Sequence, residues 1–509
     1  MNFVLALTPI LLILVLMVGL RWGAARAGAA GYLSALVIAV VFFGAGPELL
    51  AYAHAKALFL SLDVLFIIWA AFLLYRVADE AGAIRTIGEA LPHLTPDRGM
   101  QALIIGWVFA TFLQGVGGFG VPVAVISPIL VGLGFSPLAA VVIPSVGHGW
   151  AVTFGSLGSS FAALMASTGV PAEVLAPPSA LFLGIAGIVT GPMVAHAAGG
   201  WSTVRRLLLP ALILGVLMAS VQFVVATNGF WYIGAFVAGI AGLALGIPLA
   251  MRTRSKNRSD GSLNLRGLLI ALSGYALLIV ITLTIQLIPA VKTMMSAVVL
   301  QVDFPEISTS LGYITPAGPG RRLVIFRHTG MILLYTSILA YIIYRISDLY
   351  KHGSVRSILE GTVRRVMSSS VSIASMVAMA VIMQHSGMTD AIARGLAEAF
   401  GAFYPFVAPW IGALGAFMTG SNTNSNVVFG ELQKQTAILL GYSVAIILAA
   451  QTSGAALASV LAPTKVVVGA STAGMAGREG DVMRKLVVYV GILVLLISIL
   501  TVIGVLIAE

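Results

Sequence analysis

The chain has 509 residues, of which 59% are hydrophobic and 9% charged, with 28 basic against 18 acidic side chains and no cysteine. Soluble domains carry about 25% charged residues, so an ordinary water-facing surface is excluded, as are disulfides and thiolate metal sites. The net charge of +10 does not argue for a nucleic-acid partner, because the basic residues fall in short loops between apolar runs, where membrane proteins place them.

Apolar runs long enough to cross a hydrocarbon core of about 30 Å recur from end to end. The first, Phe3–Leu20, has no basic region before it and is expected to be a retained helix rather than a signal peptide. Runs follow near 29–47 and 58–78. The next two, 101–113 and 121–133, are each too short to span and are joined by Gly115-Val116-Gly117-Gly118-Phe119-Gly120. Then come 137–167, 178–199, 207–226, 230–250 and 267–288, a long segment over 289–328, and runs at 329–346 and 368–385. A second short pair, 404–418 and 426–440, flanks Gly420-Ser421-Asn422-Thr423-Asn424-Ser425-Asn426, and an interrupted 441–475 and a final 486–507 complete the chain.

Each short pair could be a re-entrant hairpin or one broken span, and charge separates the two readings. With Arg21 and Arg26 inside and both pairs as hairpins, the clusters at Arg76/Arg85/Arg98, Arg205/Arg206, Arg252–Arg258, Arg345–Arg365 and Arg478–Lys485 all fall in the cytoplasm. The outside loops 168–177 and 227–229 then hold no Lys or Arg. Only 289–328, with Arg321, Arg322 and Arg327, disagrees, and long loops obey the rule weakly. A single crossing over 101–133 would strand the clusters at 205–206 and 252–258 outside.

The two hairpin regions resemble each other. Ala81-Gly82 and Phe112-Leu113-Gln114-Gly115 are matched 305 positions later by Ser386-Gly387 and Phe417-Met418-Thr419-Gly420. Gly134-Phe135-Ser136 and Gly147 are matched 307 positions later by Gly441-Tyr442-Ser443 and Gly454. One hairpin enters from the cytoplasm and the other from outside, which is the inverted-repeat pattern of carriers with a midplane site. Glycine breaks also serve plain helix packing, but two breaks at equivalent positions, each followed by an interrupted helix, favour the repeat.

The expected fold is therefore an all-α polytopic membrane protein of about 12 full spans, with inverted structural repeats, two re-entrant helical hairpins and interrupted transmembrane helices. Its parts are 1–57, N-terminal helices; 58–250, a first repeat with a hairpin over 99–134; 251–328, a connecting cytoplasmic loop, helix and outer loop; and 329–509, a second repeat with a hairpin over 401–440.

Irregular backbone at membrane depth survives only where protein or a wet cavity satisfies it. Broken helices offer free N–H groups and positive dipole ends, which suit a carboxylate. Gly117, Gly118, Phe119 and Gly120 would let a substrate approach the backbone. Ser421, Asn422, Thr423, Asn424, Ser425 and Asn426 add hydroxyl and amide groups; six consecutive polar residues between apolar helices are costly unless they line a site. The interrupted helices contribute His148 and Thr153 from the first repeat and Thr452, Ser453 and Lys465 from the second. Lys465 could neutralise an anion or snorkel to the interface. His148 could relay a proton or pack helices, and Gln114 is a hydrogen-bonding candidate. Asp63 is expected at the outer interface, Glu431 and Lys434 as a one-turn pair, and Arg252–Arg258 facing anionic lipid.

These motifs resemble the bacterial lactate permease family. The resemblance covers nearly the whole chain and is densest at GVGGFGVPVAV (115–125), GLGFSPL (132–138), FMTGSNTNSNVVF (417–429) and AGMAGREGD (473–481). It implies an ion-transporter type fold in the inner membrane, with hairpin tips meeting at the substrate and an elevator-like motion. It further implies symport of a small monocarboxylate such as L-lactate or glycolate with a cation, no cofactor, and no enzymatic activity; a homodimer stays open. The departures are specific. Gln114 stands where the family's acid is expected, Asn422 where Ser-Asp-Thr is usual, and Ser459 where a lysine is expected, with Lys465 appearing later. A proton symporter would then need His148 or another titratable group, and Gln114, His148, Asn422 and Asn426 are the candidate coupling positions. A sodium symporter would use the oxygens of Ser421–Asn426. A carrier of a different anion, or an anion channel, is the alternative. Intramembrane hydrolase motifs (H-E-x-x-H, G-x-S-x-G) are missing from the sequence, and the longest loop, about 40 residues, leaves no room for a sizeable soluble sensor domain.

Overall fold

The computed structural model describes residues 2–20, 22–90, 95–118, 120–252, 265–320 and 322–508. Among them, 11 helical stretches are long and apolar enough to cross a membrane. Helix is the expected answer for such a chain, since lipid offers no partner to an unpaired backbone group.

The third helix, Pro47–Glu80, opens with proline at its first turn and contains no other helix breaker, so it runs unbroken for 34 residues, about 50 Å. A part boundary at 57/58 therefore falls inside a continuous helix. Its polar residues face protein: His54 meets the Tyr32 hydroxyl at 2.7 Å and Lys56 Nζ lies 3.2 Å from His385 Nε2.

The first hairpin descends through Arg98–Gln101, a π-helical Ala102–Phe109 and Ala110–Val116, and returns through Val121–Gly132. Asp97 caps its start by accepting from the Met100 N–H, worth about 1 kcal/mol. The second descends through Tyr404–Thr419 and returns through Asn422–Leu440. Each is followed by a broken helix. Pro137–Gly149 gives way to irregular backbone and resumes as Ser159–Thr168. Val444–Ala458 passes through one 3-10 turn and an extended Ala462 before Pro463–Thr472.

The recurrence extends to packing. A Cβ on Gly147 would sit 2.0 Å from the Gly106 carbonyl oxygen, and one on Gly454 would sit 2.0 Å from the Pro409 carbonyl oxygen. In both repeats the broken helix thus lies directly against the backbone of the descending arm, at equivalent positions that tolerate no side chain.

The hairpins approach from opposite ends of the molecule. The helix that begins at Ala172 runs to a kink at Gly199-Gly200, so its two ends lie about 40 Å apart. The first hairpin starts beside the far end, where Arg206 pairs with Asp97 at 2.6 Å. The second hairpin's return helix lies beside the near end, where Lys434 donates to the Thr168 carbonyl at 2.8 Å.

Segment 289–328 is not a plain loop. After a short helix, Pro289–Met294, six two-residue strands pair antiparallel as Val299↔Val324, Asp303↔Pro319 and Ile307↔Thr315. The nested partners make one β-ribbon, an addition to the otherwise helical architecture. The ribbon's end returns over the third helix and carries His328, whose Nε2 lies 2.6 Å from Asp63 Oδ1 while its ring stacks on Phe66. Asp63 is therefore buried and paired rather than interfacial, because this segment covers it. Of the basic loop at Arg252–Arg258, residues 253–258 lie outside the described residues.

Candidate functional site

At the second tip, Gly420 takes a left-handed conformation (φ +72°) and Ser421 an extended one, so that Ser421 Oγ accepts from the Asn424 N–H and starts the return helix. The following asparagines are nearly fully buried, and each spends its amide N–H on a neighbour. Asn422 Nδ2 donates to Thr153 Oγ1 (3.1 Å), Asn424 Nδ2 to Ser372 Oγ (3.0 Å), and Asn426 Nδ2 to the Ser160 carbonyl (3.0 Å) and Thr452 Oγ1 (2.9 Å). A carbonyl can only accept, which fixes the orientation of Asn426. Oδ1 of all three is left buried without a hydrogen-bond partner among the described residues, as is Oε1 of Gln114. An unmet buried acceptor costs about 1–3 kcal/mol, and Asn422 and Asn426, one turn apart on one helix face, present two of them toward Thr153 and Thr452, where they ask for a ligand.

At the first tip, Gly118 has φ +56°, and a Cβ there would lie 1.6 Å from Ser156 Oγ. Gln114 Nε2 reaches the same Ser156 hydroxyl at 3.5 Å. Ser156 and Leu157 hold φ values of 49° and 51°, left-handed backbone that non-glycine residues rarely adopt and that collects at functional sites.

Each broken helix touches both tips. In the first repeat, Thr153 bonds Asn422 and the Thr452 carbonyl (3.2 Å), while Ser156 abuts Gly118. In the second, Thr464 lies against Gly420 and the Lys465 stem against Gly120; Lys465 Nζ donates to Ser459 Oγ at 3.1 Å. Thus Gln114, Gly118, Gly120, Thr153, Ser421, Asn422, Thr423, Asn426, Thr452 and Lys465 converge, with Gly117 at the end of the first descending arm, while Asn424 turns away toward Ser372. Thr423 shares a 3.1 Å hydroxyl contact with Ser160.

Of the other expected residues, Ser425 and His148 bond elsewhere, Ser453 makes no hydrogen bond among the described residues, and one lies outside the described residues. Ser425 spends its hydroxyl inside its own hairpin, donating to the Gly412 carbonyl and accepting from Gln451. Ser453 Oγ is buried with no partner among the described residues. His148 is fully buried and uses Nδ1 on its own helix, 2.6 Å from the Pro144 carbonyl, which leaves Nε2 unpartnered. Phe119 is the one outside. Glu431 and Lys434 do pair, at 3.3 Å. Sequence reasoning did not single out Ser156, Ser160, Ser372 or the Gln433–Gln451 amide pair at 3.1 Å; they sit beside other polar residues, and nothing in the spacing says which of the neighbours faces the tips.

Two opposed hairpins, two broken helices and a polar seam between them, all inside a strongly apolar bundle, define a multi-pass membrane protein of the transporter type. Comparison with known proteins gives the family. The family model described as L-lactate permease matches residues 2–508, and the chain belongs to that family, whose members reside in the bacterial inner membrane. It is similar to the L-lactate permease of Bacillus subtilis, 28% identical over 97% of this chain and 94% of the relative. It is also similar to the glycolate permease GlcA of Escherichia coli, 27% identical over 98% and 95%. Among solved structures, the YdaH transporter of Alcanivorax borkumensis, described as having an unusual topology, superposes with TM-score 0.51 at 15% identity over 90% of this chain and 87% of its own. That likeness concerns the fold.

Proposed function

We propose that the protein carries a small 2-hydroxy monocarboxylate, L-lactate or glycolate, in symport with sodium, and that the hairpin tips with their broken helices move as one body between the two sides. The observation that carries this reading is the polar seam itself: among the described residues, amide oxygens without partners and, at Lys465, a cation without a carboxylate.

The carboxylate is bound by Lys465, which donates to Ser459, and by the N–H groups of Asn422 and Thr423 at the start of Asn422–Leu440, ahead of the Asn424 N–H that Ser421 caps. The oxygens of Asn422 and Asn426, one turn apart, are the hard, neutral ligands that sodium prefers. A neutral cage needs no proton to turn over, which favours sodium over a proton at Gln114 and Asn422, where acids would be required. Rigid carriage is supported by backbone contacts such as Gly147 on Gly106 and Gly454 on Pro409, which leave no slack between arm and broken helix.

The test is uptake of labelled L-lactate and glycolate into proteoliposomes under separate sodium and proton gradients. Uptake driven by sodium at equal pH is expected. Uptake driven by protons and indifferent to sodium overturns the coupling, and transport of neither acid overturns the substrate.

A further inference from the structure

A second site lies away from the tips, at the end of the molecule that the charge distribution assigns to the outside. A cavity of about 400 Å³ is walled by the third helix, the turn at 167–169, the β-ribbon and the return helix of the second hairpin. Lys56, Arg322 and Lys434 line it together with one carboxylate, Glu431. Lys434 is held by Glu431 and the Thr168 carbonyl. Lys56 is 3.2 Å from His385 Nε2, and neither it nor Arg322 has a carboxylate partner among the described residues. Uncompensated positive charge in a partly enclosed cavity raises the local concentration of anions. At about 30 Å³ per water, the space admits a small acid with several waters.

Beneath it lies a smaller cavity of about 20 Å³ that shares Leu60, Ser167, Gln384 and Glu431 with the first and adds apolar Val64, Val377 and Val427. Lys434, Glu431, Val427 and Asn424 follow one another at spacings of three and four, so they form a single stripe on the return helix. The stripe runs about 15 Å from the charged cavity, past the apolar constriction, to the second tip.

We infer that Lys56, Arg322 and Lys434 form an external capture site for a small organic carboxylate, set above an apolar gate on the path to the tips. The β-ribbon is part of this site, because it supplies Arg322. This also accounts for the one basic segment that breaks the charge rule: its Arg322 faces an anion pathway, and Arg327 is tied to Ser296 and Gln286. The carboxylate identity rests on the function proposed above; the anion-attracting cavity does not.

The cysteine-free chain allows a transport-independent test. With Gln384→Cys as a reporter in the cavity, anionic and cationic thiosulfonate reagents are added from outside. The anionic reagent is expected to react about tenfold faster relative to the cationic one than with a free thiol. That ratio should fall toward one in Lys56→Gln and in Arg322→Gln, and L-lactate or glycolate should protect the thiol. Arg322 is exposed on the ribbon, so its variant tests the idea even if Lys56→Gln fails to fold. Equal reactivity of the two reagents in the parent, or a ratio unmoved by both substitutions, overturns the capture site. Charge preference without protection by either acid retains the cavity's attraction but overturns its assignment to a carboxylate. External KM for uptake gives the matching kinetic readout. It should rise about fivefold in Arg322→Gln at low ionic strength, with efflux KM unchanged, and an equal rise on both faces contradicts an external site. If the parent transports neither acid, the function reading falls, and the reagent ratio still decides whether the cavity draws anions.

Discussion

Gly118 and Ser156 are locked together so closely that neither can change freely. Any side chain at Gly118 meets both a left-handed backbone (φ +56°) and Ser156 Oγ. Gly118→Ala is expected to destabilise the protein by more than about 1–3 kcal/mol, read as a lowered melting temperature in detergent. Ser156→Gly should relieve both the contact and the strained φ of 49° at its own position, so the double variant should recover much of the loss. A double variant no more stable than Gly118→Ala would mean that the two do not act on each other. At Asn422, Ala removes both a free oxygen and the donor to Thr153. The expected result is at least a tenfold loss of transport at unchanged protein level, with substrate binding weakened. The glycine tip and the run of six polar residues were legible in the sequence because they interrupt apolar runs where membrane helices cannot bear interruption. Ser156, Ser160 and Gln451 were not, since one hydroxyl or amide in an apolar helix has many innocent partners and no spacing reveals which it takes.

At the scale of elements, the breaks in Pro137–Thr168 and Val444–Thr472 are what bring the two repeats into one site. Thr153, Thr452, Asn422 and Asn426 cross-link them through a short chain of hydrogen bonds. The interruptions themselves were readable from Gly147-His148-Gly149 and Ala462-Pro463. Which residues face each other across the break depends on the left-handed turn at 156–157; Gly155 and Gly158 mark a break there, but not that Ser156 and Leu157 take the left-handed conformation. The β-ribbon over 299–324 was read as loop for a related reason. Its strands are only two residues long, too short for an alternating pattern to stand out. Its attachment through His328 and Asp63 is a testable claim. His328→Ala leaves the buried Asp63 without this partner and should cost about 1–3 kcal/mol, seen as earlier thermal unfolding together with faster proteolysis within 289–328. Unchanged stability and unchanged cleavage would show that the ribbon is held elsewhere.

For the molecule as a whole, charge in the loops sorts the segments onto two sides, and the contacts follow the same sorting: segments assigned to one side meet one another. Gly44 accepts from Ser310, Thr168 from Lys434, and Asp97 pairs with Arg206. The two faces also differ in how they treat charge, with ion-paired helix ends at Arg76–Glu80 on one and an uncompensated cationic cavity on the other. Single cysteines placed in the cysteine-free chain at Gly169 and at Arg206 should be labelled by an impermeant reagent from opposite sides; labelling from the same side would contradict the opposed hairpins. The central claim, that a monocarboxylate and its coupling cation are carried through the seam between the hairpin tips, is tested most directly by counterflow. Proteoliposomes preloaded with unlabelled glycolate or L-lactate should transiently accumulate the labelled acid from outside in the presence of sodium, and those holding Asn422→Ala should not. Absence of counterflow with either acid in the parent protein, or full counterflow in the variant, would contradict the account.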